Sequence, residues 1–251
     1  MFSKSTVKYI QSLQHKKFRD EEGLFVAEGP KLVKELLEGG RFVCRNLYAL
    51  PGWIEQQDPN LLQGLDSRLL AIKDFELEKI SSLTKANMVL GVFEKKVSST
   101  DPVFTNTITL VLDDIQDPGN LGTIIRIADW FGIQHIVCSL QTADMYNTKV
   151  VQSTMASLQR VNLIYTDVRE WLEKQTRIKK YAATLHGKRL EGVSGLKEGI
   201  LIIGNESKGI SDPVMQLSDE KITIPRLGEA ESLNAAVATG IILYEITRAG
   251  G

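Results

Sequence analysis

The segment that most constrains the fold is residues 222–248, where a short strand pattern is followed by a polar loop and an almost wholly apolar helix. Residues 222–224 are β-branched and favour a strand, which Pro225 would end. Ser232 is predicted to be the N-cap of the helix. Because that helix is apolar on nearly all sides, it has to be buried on more than one side. Its free N–H groups should then point at the polar loop, where an α/β protein places its chemistry.

Composition limits the class of protein. The chain has 251 residues, 43% of them hydrophobic and 24% charged, with a net charge of −1, as is typical of a globular protein. No secretory signal or membrane span is predicted, because residues 1–8 have no apolar core and Gly240 and Glu245 interrupt the apolar C-terminal helix. The two cysteines and three histidines show no metal-ligand spacing, and each cysteine is predicted to be a small buried residue. We therefore expect a cytoplasmic protein that binds no membrane and no metal.

Strand and helix patterns alternate in two blocks, which predicts an α/β fold with two domains. The first domain is predicted over residues 1–97 and the second over residues 107–251. Between them, residues 98–106 are polar, include Pro102 and are predicted to be a linker. In the second block strand patterns are followed by helix patterns, which fits a parallel sheet covered on both faces.

The N-terminal segment is unusually basic. Residues 1–19 contain no acidic residue and hold the basic residues Lys4, Lys8, Lys16, Lys17 and Arg19. This distribution has two interpretations: the solvated face of a helix, or a surface that contacts the phosphates of a nucleic acid. The net charge of the whole chain does not separate them.

Three polar loops follow predicted strands of the second domain, within residues 113–126, 204–210 and 225–234. Ligands of open α/β sheets bind at the carboxyl ends of strands, so these loops are the candidate site. They supply an arginine, a carboxylate, a hydroxyl and two amides: Arg126, Glu206, Ser232, Asn120 and Asn234. Three of these also have an ordinary structural interpretation, since Asn120 can cap a helix, Arg126 can be a solvated charge and Glu206 can accept bonds from loop N–H groups.

The content of these loops indicates a reaction class. The glycine loop over residues 204–209 lacks the spacing of a phosphate-binding P-loop and of a dinucleotide-binding motif. The sequence offers no evident His–Ser or His–Cys pairing and no metal-ligand set. Such residues suit group transfer, in which the protein aligns an attacking group with a reactive cofactor, better than hydrolysis.

Three motifs occur in order along the second domain. They are Asp117-Pro-Gly-Asn-Leu-Gly-Thr-Ile-Ile-Arg126, Ile203-Gly-Asn-Glu-Ser-Lys-Gly209, and Ile224-Pro225 followed by Glu231-Ser-Leu-Asn-Ala-Ala-Val-Ala238. With these motifs the chain resembles the SpoU (TrmH-type) RNA ribose 2′-O-methyltransferases of the SPOUT superfamily. Residues 18–33 resemble the smaller substrate-binding domain of many members, which is similar to a ribosomal L30e-type fold.

The resemblance implies a C-terminal parallel-sheet SPOUT domain with a deep trefoil knot, preceded by a small L30e-like α/β domain that binds the RNA substrate. It implies S-adenosylmethionine as the cofactor and a homodimer formed through the C-terminal domain. The positions that match the family's cofactor contacts are Thr184, Leu185, Gly187, Gly204, Ile224 and Leu233.

The resemblance also implies an active site made of Asn120, Arg126, Glu206, Ser232 and Asn234. Arg126 takes the position of the family's proposed activator of the ribose 2′-hydroxyl. One role for the arginine is that of the base itself. Because the pKa of a guanidinium exceeds about 12, the alternative is that the arginine orients the hydroxyl or holds the adjacent phosphate. Ser207 and Lys208 depart from the family's usual Gly-Asn-Glu-Gly-x-Gly pattern, and Lys208 is a further candidate phosphate contact.

The sequence therefore predicts an enzyme that methylates a ribose 2′-hydroxyl of RNA. Ribosomal RNA is the expected substrate, because the two-domain layout resembles the family members that act on rRNA. The alternative is a non-catalytic RNA-binding or ribosome-assembly protein that retains the knotted fold. The complete set of proposed catalytic side chains favours the enzyme.

Overall fold

The computed structural model describes residues 2–96, 106–193 and 195–248, except for the side chain of Glu191. It divides into two compact units, the first made of Met1–Val97 and Asp144–Gln159 and the second of Ser98–Ala143 and Arg160–Gly251. The predicted linker over residues 98–106 lies outside the described residues apart from Asn106. The sequence predicts residues 144–159 in the second domain, whereas in the structure they pack with the first unit.

The elements of residues 2–96 are α1 (Lys4–Ser12), α2 (Lys16–Glu22), β1 (Leu24–Glu28), α3 (Pro30–Gly39), β2 (Cys44–Ala49), α4 (Pro51–Ile54), α5 (Pro59–Leu62), β3 (Leu69–Ala71), α6 (Asp74–Ile80) and β4 (Val89–Glu94). The elements from residue 106 onward are β5 (Ile108–Asp113), α7 (Pro118–Trp130), β6 (His135–Cys138), α8 (Thr148–Thr154), β7 (Asn162–Tyr165), α9 (Val168–Lys174), β8 (Lys180–Arg189), β9 (Gly199–Gly204), α10 (Asp212–Met215), β10 (Glu220–Thr223) and α11 (Ala235–Thr247). Short 3-10 turns lie at Asp66–Arg68, Ser157–Gln159 and Leu190–Gly192.

The first unit is built on a sheet with strand order β1-β4-β2-β3, in which β4 is antiparallel to both neighbours and β2 is parallel to β3. Helix α3 begins with Pro30, whose missing N–H and fixed φ suit the first helical position, and ends at Gly40 in the left-handed conformation (φ 64°). Side chains of α1, α6 and the strands fill the core, including Ile10, Val26, Tyr48, Leu77 and Leu90.

A buried ion pair ties residues 144–159 into the first unit. Arg19 leaves only 2% of its side chain exposed, and its Nη2 and Nε donate to Asp144 Oδ2 at 2.7 and 3.2 Å. Its Nη1 donates to the carbonyl oxygens of Leu13 and Gln14. Arg19 is therefore a structural residue, and neither interpretation of the basic segment predicted this role. The four lysines of that segment are exposed.

The second unit is built on a parallel sheet with strand order β10-β8-β9-β5-β6-β7. Strands β5 and β9 lie at its centre, and every residue of β5 is buried, so the sheet is covered on both faces as predicted. One apolar cluster joins strand residues to α9 and α10, through Val111 and Ile202 against Trp171 and Val214. Helices α7 and α11 pack against each other, and α11 also packs against β9.

The two cysteines are buried strand residues, as predicted. Cys44 lies in β2 and Cys138 in β6, and burial raises the pKa of both thiols, that of Cys44 to about 12. In the part of the chain that the structure describes, no helix is long and apolar enough to cross a membrane. The trefoil knot that the resemblance implies stays a prediction.

Breaking the Arg19–Asp144 pair should destabilise the protein. We expect Asp144→Ala to lower the free energy of unfolding by about 3–5 kcal/mol, because it leaves a buried guanidinium without its counter-charge. Urea unfolding followed by circular dichroism measures the change. The matched control is Glu38→Ala, which removes a half-exposed helical ion pair with Lys34 and should cost less than about 0.5 kcal/mol. Equal losses in the two variants would contradict the structural role of Asp144.

Candidate active site

Hydrogen bonds between three side chains join the three polar loops of the second unit. Asn120 Nδ2 donates to Glu206 Oε1, and Asn234 Nδ2 donates to Asn120 Oδ1 at 2.8 Å. We call the three residues the Glu–Asn–Asn chain. Glu206 follows the carboxyl end of β9, Asn120 lies in the first turn of the helix after β5, and Asn234 directly precedes α11. The site is therefore at the carboxyl ends of the parallel strands.

The order of donors and acceptors in the Glu–Asn–Asn chain is fixed by its two ends. An ionised carboxylate only accepts hydrogen bonds, so Asn120 must turn its NH₂ group toward Glu206 and its carbonyl oxygen toward Asn234. At the other end, Asn234 Oδ1 accepts bonds from the backbone N–H groups of Ala236 and Val237, which leaves the Asn234 NH₂ group for Asn120. Each amide thus has one possible orientation, and the chain has a definite direction.

The first loop positions Asn120 through a neighbouring cap. Helix α7 begins at Pro118, and its N-cap is Asp117, whose Oδ1 accepts the backbone N–H of Asn120 at 2.8 Å. The alternative interpretation of Asn120 as the cap of this helix is wrong, because the proline sets the first helical position two residues earlier. Because Asp117 caps the helix, the Asn120 side chain is available to bond Glu206 and Asn234.

The second loop is held tightly by its own polar groups. Asn205 Oδ1 accepts the N–H groups of Ser207 and Lys208, and the backbones of Asn205 and Gly209 bond each other in both directions. A Cβ atom on Gly204 would lie 2.3 Å from the carbonyl carbon of Gly209. The backbone of Gly209 therefore returns directly beside Gly204.

The third loop ends at Asn234, which is the N-cap of α11. The prediction that Ser232 caps this helix is wrong: Ser232 is exposed and its hydroxyl has no hydrogen-bond partner among the described residues. Asn caps helices as well as Ser does, and here its side chain reaches two backbone N–H groups. Asn234 consequently has two tasks, since its oxygen caps α11 and its nitrogen bonds Asn120.

Arg126 stands apart from the Glu–Asn–Asn chain. It lies on the exposed face of α7 and makes no hydrogen bond or ion pair with any residue that the structure describes. All of its N–H donors are therefore available to a ligand. Of the five predicted catalytic residues, the structure joins Asn120, Glu206 and Asn234, while Ser232 and Arg126 remain without side-chain partners among the described residues.

The predicted cofactor residues lie within or after three adjacent strands, β10, β8 and β9. The ladder between β8 and β10 pairs Ala182 with Lys221 and then Lys188 with Ile222. Residues 183–187 of β8 therefore leave the ladder as a bulged loop. Thr223 Oγ1 donates to the Leu185 carbonyl oxygen at 3.1 Å, which holds this loop to β10. Leu185 and Leu233 expose 65% and 45% of their surfaces, respectively. The complete predicted set is Thr184, Leu185 and Gly187 in the bulged loop, Gly204 at the end of β9, Ile224 after β10 and Leu233 before α11.

Sequence reasoning missed three residues that shape the site. Asp117 caps α7, Asn205 organises the second loop, and the buried Asp113 accepts the backbone N–H of Ser211 at 2.7 Å. An aspartate directly before Pro118 is a capping signal that could have identified Asp117. Within residues 2–96, 106–193 and 195–248, no cluster of histidine, cysteine and acidic residues could hold a metal ion.

Two protein-family models match this chain. The family model described as the SpoU rRNA Methylase family matches residues 107–244, and a model described as the MRM3-like substrate binding domain matches residues 4–91. Since the first match covers more than half of the chain, this protein belongs to the SpoU rRNA methylase family.

Several relatives match nearly the whole chain. The 23S rRNA (guanosine(2553)-2′-O)-methyltransferase RlmP of Bacillus subtilis is 29% identical, over 96% of this chain and 95% of its own. The structure of a TrmH-family protein from Porphyromonas gingivalis superposes with a TM-score of 0.87 at 34% identity, covering 99% of both chains. The AdoMet-bound rRNA methyltransferase of Sinorhizobium meliloti superposes with a TM-score of 0.86 at 30% identity, covering 98% of this chain and 95% of the other.

The two uses of Asn234 can be separated by mutation. We expect Asn234→Ala to lower the free energy of unfolding by about 1 kcal/mol through loss of the cap, and Asn234→Asp to be near neutral because aspartate caps equally well. Ser232→Ala should leave stability unchanged, since the Ser232 hydroxyl makes no capping bond. Thermal unfolding of the three variants measures these differences. If Ser232→Ala were the destabilising change, Asn234 would not be the cap.

Proposed function

We propose that this protein transfers a methyl group from S-adenosylmethionine to a ribose 2′-hydroxyl of RNA. The observation that carries the proposal is the Glu–Asn–Asn chain, which joins the three motif loops at the carboxyl ends of the strands. Membership of the SpoU family supports it, as do relatives that are named as rRNA 2′-O-methyltransferases or were solved with AdoMet.

The residues at the strand ends fit S-adenosylmethionine. A cofactor site needs apolar walls together with a few backbone donors and acceptors. Leu185 is exposed in the bulged loop of β8, and Leu233 is exposed in the loop between β10 and α11. A Cβ atom on Gly187 would lie 2.5 Å from the Lys221 carbonyl oxygen, so glycine lets the bulged loop lie flat on β10 while Leu185 stays exposed. When bound, the cofactor supplies an electrophilic methyl group. The residues proposed to hold it are Thr184, Leu185, Gly187, Gly204, Ile224 and Leu233.

The remaining side chains hold the ribose. Glu206 bonds Asn120 through Oε1, and its Oε2 has no partner among the described residues, so this oxygen can accept a hydrogen bond from the 2′-hydroxyl. Asn120 and Asn234 fix the direction of the carboxylate. Ser232, two residues before Asn234, offers an exposed hydroxyl as a further contact with the ribose. The reaction then gains its rate from alignment of the hydroxyl, which can be worth several powers of ten.

Arg126 is proposed to orient the ribose and its adjacent phosphate. The planar fork of guanidinium N–H donors matches two phosphate oxygens. In this role the arginine acts as a cation and a hydrogen-bond donor that stabilises the 2′-oxygen during methyl transfer. The hydroxyl proton passes to Glu206 Oε2, the oxygen that accepts its hydrogen bond. The unpaired state of Arg126 among the described residues is consistent with a side chain kept for substrate.

Removal of Arg126 should abolish turnover and spare cofactor binding. We expect Arg126→Ala to lower kcat by about 10²–10³-fold, the usual effect of losing a preorganised electrostatic contact, and Arg126→Lys to recover only part of it. Radiolabelled methyl transfer measures the rate, and calorimetric titration measures S-adenosylmethionine binding. The control is Arg169→Ala, which removes another exposed arginine of the same unit. A near wild-type rate of methyl transfer in Arg126→Ala would contradict the role proposed for Arg126.

The same titration tests the cofactor residues. Leu233→Arg should abolish S-adenosylmethionine binding, because the half-exposed leucine is a proposed wall of the site. Leu227→Arg alters a leucine of the same loop that is 98% exposed, and should bind the cofactor normally. Binding retained in Leu233→Arg would place the cofactor elsewhere.

We further propose a homodimer formed through the second unit. Helix α11 exposes Val237, Ile241 and Tyr244 at helical spacing along one face, and Trp130 at the end of the neighbouring α7 is 85% exposed. An exposed apolar stripe of this kind is typical of a protein–protein interface. Because both helices pack against each other, a second copy could cover them together.

Light scattering should therefore give twice the mass of one chain. Ile241→Asp places a charge in the middle of the stripe and should yield a monomer. Val43→Asp, at an exposed apolar residue of the first unit, should leave the dimer intact. A wild-type monomer at micromolar concentration would contradict the proposed interface.

Ribosomal RNA is the proposed substrate class, and the cytoplasm the proposed location. The name of the B. subtilis relative specifies 23S rRNA, and the match of residues 4–91 to a substrate-binding domain supports a large structured RNA.

A further inference from the structure

The first unit contains a cleft at one end of its sheet that the proposed chemistry does not use. It lies where β1 and β2 begin and β4 ends, and its volume is about 570 Å³. Ligand sites commonly measure about 300–1,000 Å³, so one nucleotide fits. The groups that matter in its lining are Tyr9, Arg45, Arg68, Lys95, Glu22 and Glu94.

A β-bulge directs one of the arginines into this cleft. The ladder between β2 and β4 pairs Cys44 with Phe93 and then Asn46 with Val92, so Arg45 is the extra residue. Bulges of this kind re-aim a side chain. Arg45 Nε lies 2.9 Å from Glu94 Oε1, and its terminal N–H groups have no partner among the described residues. The bulge thus presents a guanidinium whose outer donors are available.

Arg68 is held in place by the backbone. Its Nη1 donates to the Cys44 carbonyl oxygen at 2.9 Å, and its Nη2 donates to the carbonyl oxygen of Gly64. Its other N–H groups have no partner in the part of the chain that the structure describes. Anchored donors of this kind lose little freedom when they bind a phosphate oxygen, which favours affinity.

Tyr9 supplies an aromatic ring that is fixed at its polar end. Its hydroxyl donates to Glu22 Oε2 at 3.0 Å, and burial together with that carboxylate raises the pKa of Tyr9 to about 12. The residue remains 37% exposed and stacks on no other ring among the described residues. A base can therefore stack on it, as unpaired bases stack on aromatic side chains in RNA-binding proteins.

The charge of the cleft suits one nucleotide better than a duplex. Its lining has three cationic side chains against the two carboxylates of Glu22 and Glu94, and Lys95 also pairs with Asp20. This near balance gives little bulk attraction for a polyanion, so binding has to rely on individually placed donors and on the ring. Both carboxylates are engaged in holding Tyr9 and Arg45, and they keep those groups in position.

We propose that this cleft binds one unpaired nucleotide of the substrate RNA, with its base on Tyr9 and its phosphate on Arg45 and Arg68. The inference rests on the proposed function, because it takes RNA as the substrate. It adds a recognition site on the first unit. There the base of a looped-out nucleotide is recognised by stacking, and its phosphate by fixed guanidinium N–H donors. Single-stranded segments are the parts of an RNA whose bases can be recognised in this way.

Two variants separate the two contacts. Binding of transcribed, unmodified 23S rRNA is measured by filter retention at several salt concentrations. Arg45→Gln should weaken binding and reduce the slope of log K against log [salt] by about 0.7, the value for one phosphate of a single strand. Tyr9→Leu should weaken binding about tenfold without changing that slope, whereas Tyr9→Phe should retain most of the affinity.

The control for Arg45→Gln is Arg169→Gln. Both arginines are about 60% exposed and bond one glutamate through Nε, at 2.9 and 3.0 Å. The control should keep wild-type affinity and salt slope, and melting temperatures confirm that each variant is folded. Unchanged RNA affinity in Arg45→Gln and Tyr9→Leu would overturn the inference.

Failure of the inference differs from failure of the proposed function. Suppose that the wild-type protein methylates 23S rRNA and that the cleft variants have the same KM for RNA as wild type. The enzyme is then correctly assigned, but the cleft is not a recognition site. If wild-type protein binds the RNA and transfers no methyl group, the proposed function fails. In that case the salt slopes of the variants still decide whether the cleft binds RNA.

Discussion

The Glu206–Asn120–Asn234 chain is the interaction on which the site depends. It connects the loops after β5, β9 and β10, which are far apart in sequence, through two side-chain hydrogen bonds. Because a carboxylate fixes one end and helical N–H groups fix the other, each amide has a single orientation. An apolar substitution at Asn120 would break both bonds and remove the side-chain link from Asn234 to Glu206.

Helix capping and the geometry of the candidate site are linked in this unit. Asp117 caps α7 and so frees Asn120, while Asn234 caps α11 with its oxygen and bonds Asn120 with its nitrogen. The apolar helix α11 is anchored by packing against α7 and β9, so the position of Asn234 follows from burial. The proposed dimer face lies on the exposed side of the same two helices. Packing, capping and the direction of the Glu206 carboxylate are therefore connected through a few residues.

Much of this could be predicted from the sequence, for physical reasons. Continuous apolar strands followed by helices predict a parallel sheet, and the carboxyl ends of such strands converge, so polar residues in the loops were expected to lie together. The cap predicted at Ser232 was wrong, and so was the alternative interpretation of Asn120 as a cap. Both are good capping residues by type, and only the helix starts show that Asp117 and Asn234 are the caps. Residues 144–159 join the first unit through Arg19 and Asp144, which are distant in sequence and carry no local signal of their pairing. The nucleotide-sized cleft was not predicted either, because it depends on a bulge at Arg45 that arises from register.

The measurement that tests the central claim most directly is methyl transfer from radiolabelled S-adenosylmethionine to transcribed 23S rRNA, followed by complete digestion to nucleosides. The account predicts label in a single 2′-O-methylated nucleoside, and its loss with Arg126→Ala. Label on a base would contradict the assignment of the ribose hydroxyl as the acceptor. Binding of cofactor and RNA without any transfer would contradict the enzyme and identify a non-catalytic RNA-binding protein with the same fold.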